Sequence, residues 1–233
     1  MQTCSIVIPV YNEEQSVLSQ LNYWHSLEQK GFELIFVDGG SGDNTRHILD
    51  RHFSRVYQCA AGRARQMNMG AQHSTRAIIL FLHCDTRLPE TSVEITEVAW
   101  RWGFFYIQLS GQLNILRWIE RGINWRSRMF KVATGDQALF FKREFFEELG
   151  GFADIPLMED IDVSRRARKS AQPTIQKNRV LSSSRRWEKN GAIKTVLLMW
   201  WIQLQYRCGV DPAKLVIQYY GVNNNTKARP NHD

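Results

Sequence analysis

Apolar residues along the chain alternate between short continuous runs and stretches in which they recur every three or four positions. Ser5 to Val10 (SIVIPV), Glu33 to Asp38 (ELIFVD) and Ile78 to Leu82 (IILFL) are runs of the first kind. They are too short to span a membrane and predict strands buried on both faces of a parallel sheet. Pro9, which lacks an N–H, is expected to end central pairing of the first strand. Val17, Leu18, Leu21, Trp24 and Leu27 follow at helical spacing and stop before Gly31, completing half of a βαβ unit. A short strand over Val56 to Ala60 and a helix opening at Gly62 and running through Gln72 precede the IILFL strand.

Beyond Pro89 the pattern predicts a helix to about Trp102, a strand over Gly103 to Leu109 and a helix over Gln112 to Lys131. A strand over Ala138 to Lys142, a short helix stopping at Gly150 and Gly151, and a helix from Met158 to Lys169 complete it. The order thus passes from β-α-β to something more mixed, as expected where a nucleotide-binding half gives way to a half handling a second substrate. Ile193 to Arg207 is apolar around most of its circumference, but its uninterrupted apolar run, Val196 to Ile202, is too short to cross a membrane. A core helix is the favoured reading. The alternative is an amphipathic element that touches a membrane together with Trp187, Lys189 and Lys194. The expected organisation is one α/β domain over 1–222, with halves at about 1–110 and 111–185 and a helical tail at 186–222. Asn223 to Asp233 are expected to be disordered.

Composition adds a charge constraint. The 233 residues are 43% hydrophobic and 23% charged, with 8 Trp and 12 Phe, which suits a folded soluble domain with a large core or an aromatic-lined cleft. Thirty Lys and Arg against 23 Asp and Glu give +7, which suits an anionic partner such as a nucleoside diphosphate, an anionic membrane surface or nucleic acid. Cys4, Cys59, Cys84 and Cys208 are isolated, without a CxxC pair, and read as reduced thiols. MQTCSIVIPV has no charged n-region, so the expectation is a cytoplasmic protein, with the inner face of the cell membrane as the alternative.

Candidate chemistry collects where strands end. In open α/β sheets ligands bind outside the carboxyl ends of the strands, and His83, Cys84 and Asp85 fall there after IILFL. Asp85 is the first candidate metal ligand, against a role in capping its loop. Tyr11, Asn12, Glu13 and Glu14 follow the first strand. Asp38 precedes GGSGDNT, where it could meet a base or ribose or order the glycine loop through its own backbone. That loop is neither GxxxxGK[ST] nor GxGxxG. Arg63 and Arg65 at a helix amino end suit a phosphate or a solvated face. Glu159 and Asp160, after GGFADIP, could face a cleft as a general base and its neighbour, or start a helix as its dipole favours.

Taken in order, SIVIPVYNEE, LIFVDGGSGDNT, GRARQMNMGA, FLHCDTRLP, GDQALFFKREFFEELGGF and PLMEDIDVSRR strongly resemble the family-2 glycosyltransferases with a GT-A fold, over about residues 4–170. Within them the pattern is similar to the bacterial subgroup associated with radical-SAM and selenodomain proteins, of the arsenosugar-biosynthesis type. RRWEKNG at 185–191 resembles that subgroup's tail. The resemblance implies a GT-A, Rossmann-like, mostly parallel mixed sheet flanked by helices. It also implies inverting transfer of a sugar from a nucleotide-diphosphate sugar to an acceptor hydroxyl. Pro9, Tyr11, Asn12 and Glu13 then match the first nucleotide-contacting loop, and Asp38 the first Asp of VDDGS, with Gly39 in place of the second. Arg63 and Arg65 fall to the donor phosphates. His83 and Asp85 match the DxD motif with His for the first Asp, and so a divalent metal, Mn2+ or Mg2+, which an imidazole tilts toward Mn2+. Asp160 matches the general base, with Glu159, or Asp136 and Gln137, positioning the acceptor. The acceptor is a small molecule or lipid-linked, and its contacts are expected from Trp102, Phe104, Arg126, Arg128 and the tail.

Two other classes stay open below this one. A nucleotidyltransferase-like enzyme of sugar nucleotides would carry a Gly-rich basic loop after its first strand, where this chain has the acidic YNEE. A non-catalytic binder of anionic membrane or RNA would explain the charge and the RRARK run alone, with RNA the less expected partner.

Overall fold

A computed structural model describes residues 4–89 and 100–220. The first part of the chain runs β1 (Ser5–Val10), α1 (Glu14–Gln29), β2 (Glu33–Asp38), α2 (Thr45–His52), β3 (Val56–Gln58), α3 (Arg63–His73) and β4 (Ile78–Phe81). It continues with β5 (Trp102–Leu109), α4 (Asn114–Phe130), a 3-10 turn at Gly135–Gln137, β6 (Phe140–Lys142), α5 (Arg143–Glu148), α6 (Glu159–Ser170) and β7 (Thr174–Ser182). Three helices follow, α7 (Arg185–Asn190), α8 (Ala192–Arg207) and α9 (Pro212–Tyr220). Among the described residues seven strands make one sheet in the order β3-β2-β1-β4-β6-β5-β7. β6 is antiparallel to both neighbours and every other pairing is parallel, so the carboxyl ends of six strands gather at one edge.

Alternation along the strands explains why both faces are covered. Ile6, Ile8, Phe36 and Leu80 point to one side, where Trp24 and Leu27 of α1, Leu49 of α2 and Leu116 of α4 close over them. Val7, Ile35, Val37 and Ile79 point to the other, under Met67 and Ala71 of α3, Phe145 and Phe146 of α5, and Val163 of α6. A third cluster, Val132, Leu157, Met158, Ile161, Ile202 and Leu215, fastens α8 and α9 to the start of α6.

Central pairing ends before Pro9, as expected, but on the β4 side alone, and β1 still pairs with β2 through Val10↔Asp38. Pairing with β4 stops at Val7↔Phe81, and Val7 O accepts from Leu82 N on that side. Alternation turns the missing N–H of Pro9 to the same side, past the last pair, so nothing is lost. The helix expected to about Trp102 fails at its end, because Trp102 opens β5; the rest of it lies outside the described residues, as does the expected disordered tail. The core reading of α8 is also wrong in part. Thr195 and Ile202 are buried, while Leu197, Trp200, Trp201 and Leu204 are exposed. β7 lies outside the expected pattern, whereas α9 falls within the expected helical tail. Among the described residues, no helix is long and apolar enough to cross a membrane.

Candidate active site

The loops after β1 and β2 are latched to each other. Asn12, at φ 52, accepts a hydrogen bond on Oδ1 from Gly42 N (2.8 Å), and its own N–H donates to Ser41 Oγ (2.9 Å). Glu13 N donates to Thr45 Oγ1 (2.8 Å). Asp38 is fully buried, and its Oδ2 accepts from Gly40 N (2.9 Å) and Ser41 N (3.0 Å) while Oδ1 takes the Ser41 hydroxyl. Of the two roles open to it, the geometry shows the ordering of the glycine loop, which occupies both carboxylate oxygens. Gln66, which the sequence reading did not single out, donates to Val10 O (2.7 Å) and Val37 O (2.9 Å), tying β1 to β2. Gly39 gives it room, since a Cβ there would stand 3.2 Å from the Gln66 amide.

At the end of β4, Asp85 Oδ2 faces Arg185 Nη2 at 3.7 Å. Arg185 also donates to Ser16 Oγ (2.9 Å), which in turn donates to Glu13 Oε2 (2.5 Å). A residue of the tail thereby links the ends of β1 and β4. Cys84 is buried, and burial, then the charges of Glu13 and Asp85, push its thiol well above the usual range, which disfavours the nucleophilic thiolate.

His83 has different neighbours from Asp85. Its Nε2 is buried without a hydrogen-bond partner, and a Cβ on Gly135 would lie 2.6 Å from it. Burial, reinforced by Arg63, depresses its pKa to about 3, so the imidazole is neutral and keeps a lone pair. Among the described residues no group of three or more His, Cys, Asp or Glu side chains converges as a metal cage. Asp85 fits a cation whose remaining ligands are phosphate oxygens and water, as Mg2+ and related ions take in phosphate sites, while His83 Nε2 faces Gly135.

On the far side of Gly135 lies a carboxylate cleft. Asp160 Oδ2 accepts from Gly135 N (2.7 Å) and Oδ1 from Ile161 N (2.7 Å), fixing the side chain at the start of α6. Glu159 is buried, with Arg63 Nη1 3.7 Å from its Oε1. Burial and then Asp160 raise the Glu159 pKa to about 7, against the pull of Arg63. Asp136 is raised by burial too, although the Thr134 hydroxyl donates to it (2.5 Å). Arg126, close enough to feel Asp136 and Asp160, donates to Gln203 Oε1 (3.0 Å) and leaves Nη2 buried and unpartnered. Arg65 instead turns outward to Asp154 (2.9 Å).

Other acceptor residues expected from the sequence are not in this cleft. Trp102 and Phe104 are fully buried beneath the sheet, where Trp102 stacks on Phe141 and donates Nε1 to Ala171 O (2.9 Å). Gln137 is fully buried too, accepting from Ser127 Oγ (2.8 Å) and donating to Phe105 O (3.2 Å). It braces the turn that presents Gly135. Arg128, two residues beyond Arg126, falls on the exposed side of α4.

Residues 5–96 match the family model Glycosyl transferase family 2. The matched segment holds β1 to β4 and so the latched loops and Asp85. Glycosyltransferase AglE of Haloferax volcanii is 34% identical over 91 residues, covering 35% of this chain and 30% of AglE, so the chain spans under a third of that relative. Among solved structures, the mannosyltransferase PcManGT from Pyrobaculum calidifontis, in complex with GDP-Man and Mn2+, superposes with a TM-score of 0.62 at 18% identity over 94% of this chain and 70% of that one. TarS of S. aureus with UDP-GlcNAc gives 0.62 at 16% identity over 78% and 58%. The fold is that of GT-A glycosyltransferases.

Beyond the family 2 segment, the cleft around Asp160 is walled by Arg63, Thr134, Leu157, Met158 and, from the tail, Met199, Gln203 and Tyr219. The tail residues escape motif reading because they lie on helices with no motif of their own. Only the polar breaks in the apolar run, Gln203 among them, mark that side of α8 in the sequence.

Proposed function

We propose that the protein is an inverting, metal-dependent glycosyltransferase that takes a nucleotide-diphosphate sugar as donor and an alcohol as acceptor. The observation that carries it is the placement of Asp85, beside Arg185 at the end of β4, and of Asp160, fixed at the start of α6, at one edge of a GT-A sheet. The donor class follows the structural neighbours, which are in complex with GDP-Man and UDP-GlcNAc. The subgroup reading rests on the resemblance of RRWEKNG, whose Arg185 engages the Asp85 end of β4.

The acceptor hydroxyl approaches the anomeric carbon from the side opposite the diphosphate. Its oxygen forms the new C–O bond as the bond to the diphosphate oxygen breaks, the electron pair leaving with the nucleoside diphosphate. The hydroxyl proton passes to Asp160, whose two backbone hydrogen bonds orient the carboxylate and leave lone pairs for the acceptor. Glu159, raised toward neutrality, holds down the negative charge beside it. A divalent cation, when bound, offsets the charge gained by the leaving diphosphate; Asp85 would hold it, with neutral His83 as a second donor. Arg185 and Arg63 add positive charge at the same edge.

Thermal unfolding with a panel of nucleotide sugars tests this. A donor at 100 times its dissociation constant adds about 2.7 kcal/mol. The expected result is a rise in Tm with GDP- or UDP-sugars that requires Mn2+; no rise with any donor, with or without Mn2+, would contradict the proposal.

A further inference from the structure

Two neighbouring helices carry apolar stripes on the side turned away from the core. On α8, Ile193, Leu197, Trp200, Trp201 and Leu204 recur at i, i+4, i+7, i+8 and i+11 and all are exposed, Trp200 at 64% and Trp201 at 56%. On α4, Trp118 (67%), Trp125 (62%) and Met129 do the same at i, i+7 and i+11. The helices touch through Arg126 and Gln203 and through Arg207 over the Phe130 ring, so the two stripes belong to adjoining surface. Tryptophans exposed this far are rare on a monomer and mark an interaction surface.

The charges around the stripes identify the partner. Arg121, Arg128, Lys194 and Arg207 are exposed on the same two helices. α8 contains no Asp or Glu, and the single carboxylate of α4, Glu120, is buried, accepting from Leu109 N (2.6 Å) and pairing with Arg117. A face of Trp, Leu and Ile edged by Arg and Lys, without an exposed carboxylate on either helix, has the chemistry of a bilayer interface with anionic headgroups: indoles sit at headgroup level and each guanidinium or ammonium meets a phosphate. Neither helix spans a membrane, so the contact is peripheral. We propose that the exposed stripes of α4 and α8 dock the protein on an anionic phospholipid surface. Another side of α8, through Met199 and Gln203, lines the Asp160 cleft, so docking sets that cleft beside the bilayer.

Flotation of the full chain with vesicles of phosphatidylcholine and phosphatidylglycerol, and of phosphatidylcholine alone, tests the proposal. The expected result is binding to the anionic vesicles that weakens as salt rises, with tryptophan emission quenched by brominated lipid. A Trp200→Ala, Trp201→Ala double variant should keep its Tm and Mn2+-dependent donor binding while its partition falls by about tenfold or more. A protein that stays with the soluble fraction at low salt overturns the proposal. So does sedimentation showing a dimer that the double variant abolishes without any vesicle binding, which would make the face a contact between copies. Neither outcome alters donor binding, so failure here is separable from failure of the glycosyl-transfer reading.

Discussion

Arg185 Nη2 stands 3.7 Å from Asp85 Oδ2, so a cation from the tail meets the carboxylate at the end of β4. Arg185 is 62% exposed at its side chain and so contributes little to stability through this pair. Asp85→Asn should leave stability within about 0.5 kcal/mol of wild type. It should nevertheless abolish the Mn2+-dependent part of donor binding. Isothermal titration of donor with and without Mn2+ checks it, and a variant with a normal Mn2+ effect would remove Asp85 from the metal site.

Trp102 is a core residue in this fold. Its indole has no exposed surface, stacks on Phe141 and donates to Ala171 O, so Trp102→Ala leaves both a cavity and an unpaired carbonyl. The expected loss is about 3–5 kcal/mol in denaturant unfolding. A loss under about 1 kcal/mol with acceptor affinity reduced would instead restore the acceptor role expected from the sequence.

Glu159 makes stability depend on pH. Burial first, then Asp160, raise its pKa from the ordinary 4.5 to about 7, so the folded protein holds the proton more tightly than the unfolded chain. The stabilisation is complete below about pH 4.5 and is lost as pH rises through about 7. Glu159→Gln removes the titration. Its stability relative to wild type should therefore rise between about pH 5 and about pH 8, by up to about 3 kcal/mol. Urea unfolding at both ends of that window measures the difference, and a constant difference would contradict the raised pKa.

Gln66 holds the strand ends that carry the latched loops after β1 and β2. Gln66→Leu removes donors from Val10 O and Val37 O in a buried setting and should cost about 1–3 kcal/mol. Because Asp38 and Gly39 sit on the same turn, donor affinity should fall with it. Unchanged affinity in a destabilised variant would mean that the glycine loop keeps its shape without the amide.

Legibility in the sequence followed burial. β1 and β2 appear at their observed limits because strands buried on both faces are continuous apolar runs. β7 does not, because TIQKNRVLS is an edge strand, largely half-buried or exposed and paired to β5 across an irregular register at Phe105/Tyr106. α8 appears as a helix but not as a surface, since a helix apolar around most of its circumference gives no direction for its exposed side. Asp160 and Asp85 stand out as carboxylates at motif positions. Arg185, Gln203 and Gln66 reach the site only through tertiary contacts, while packing takes Trp102 and Gln137, both expected on the acceptor side, into the core.

Steady-state release of nucleoside diphosphate from a donor with Mn2+ and an accepted alcohol, compared between wild type and Asp160→Asn, tests the role of Asp160 as the base. The expected result is donor binding and stability near wild type in the variant, with kcat down by about 10² or more and a product of inverted anomeric configuration. Wild-type turnover by Asp160→Asn, or a product that retains the donor's configuration, would contradict it.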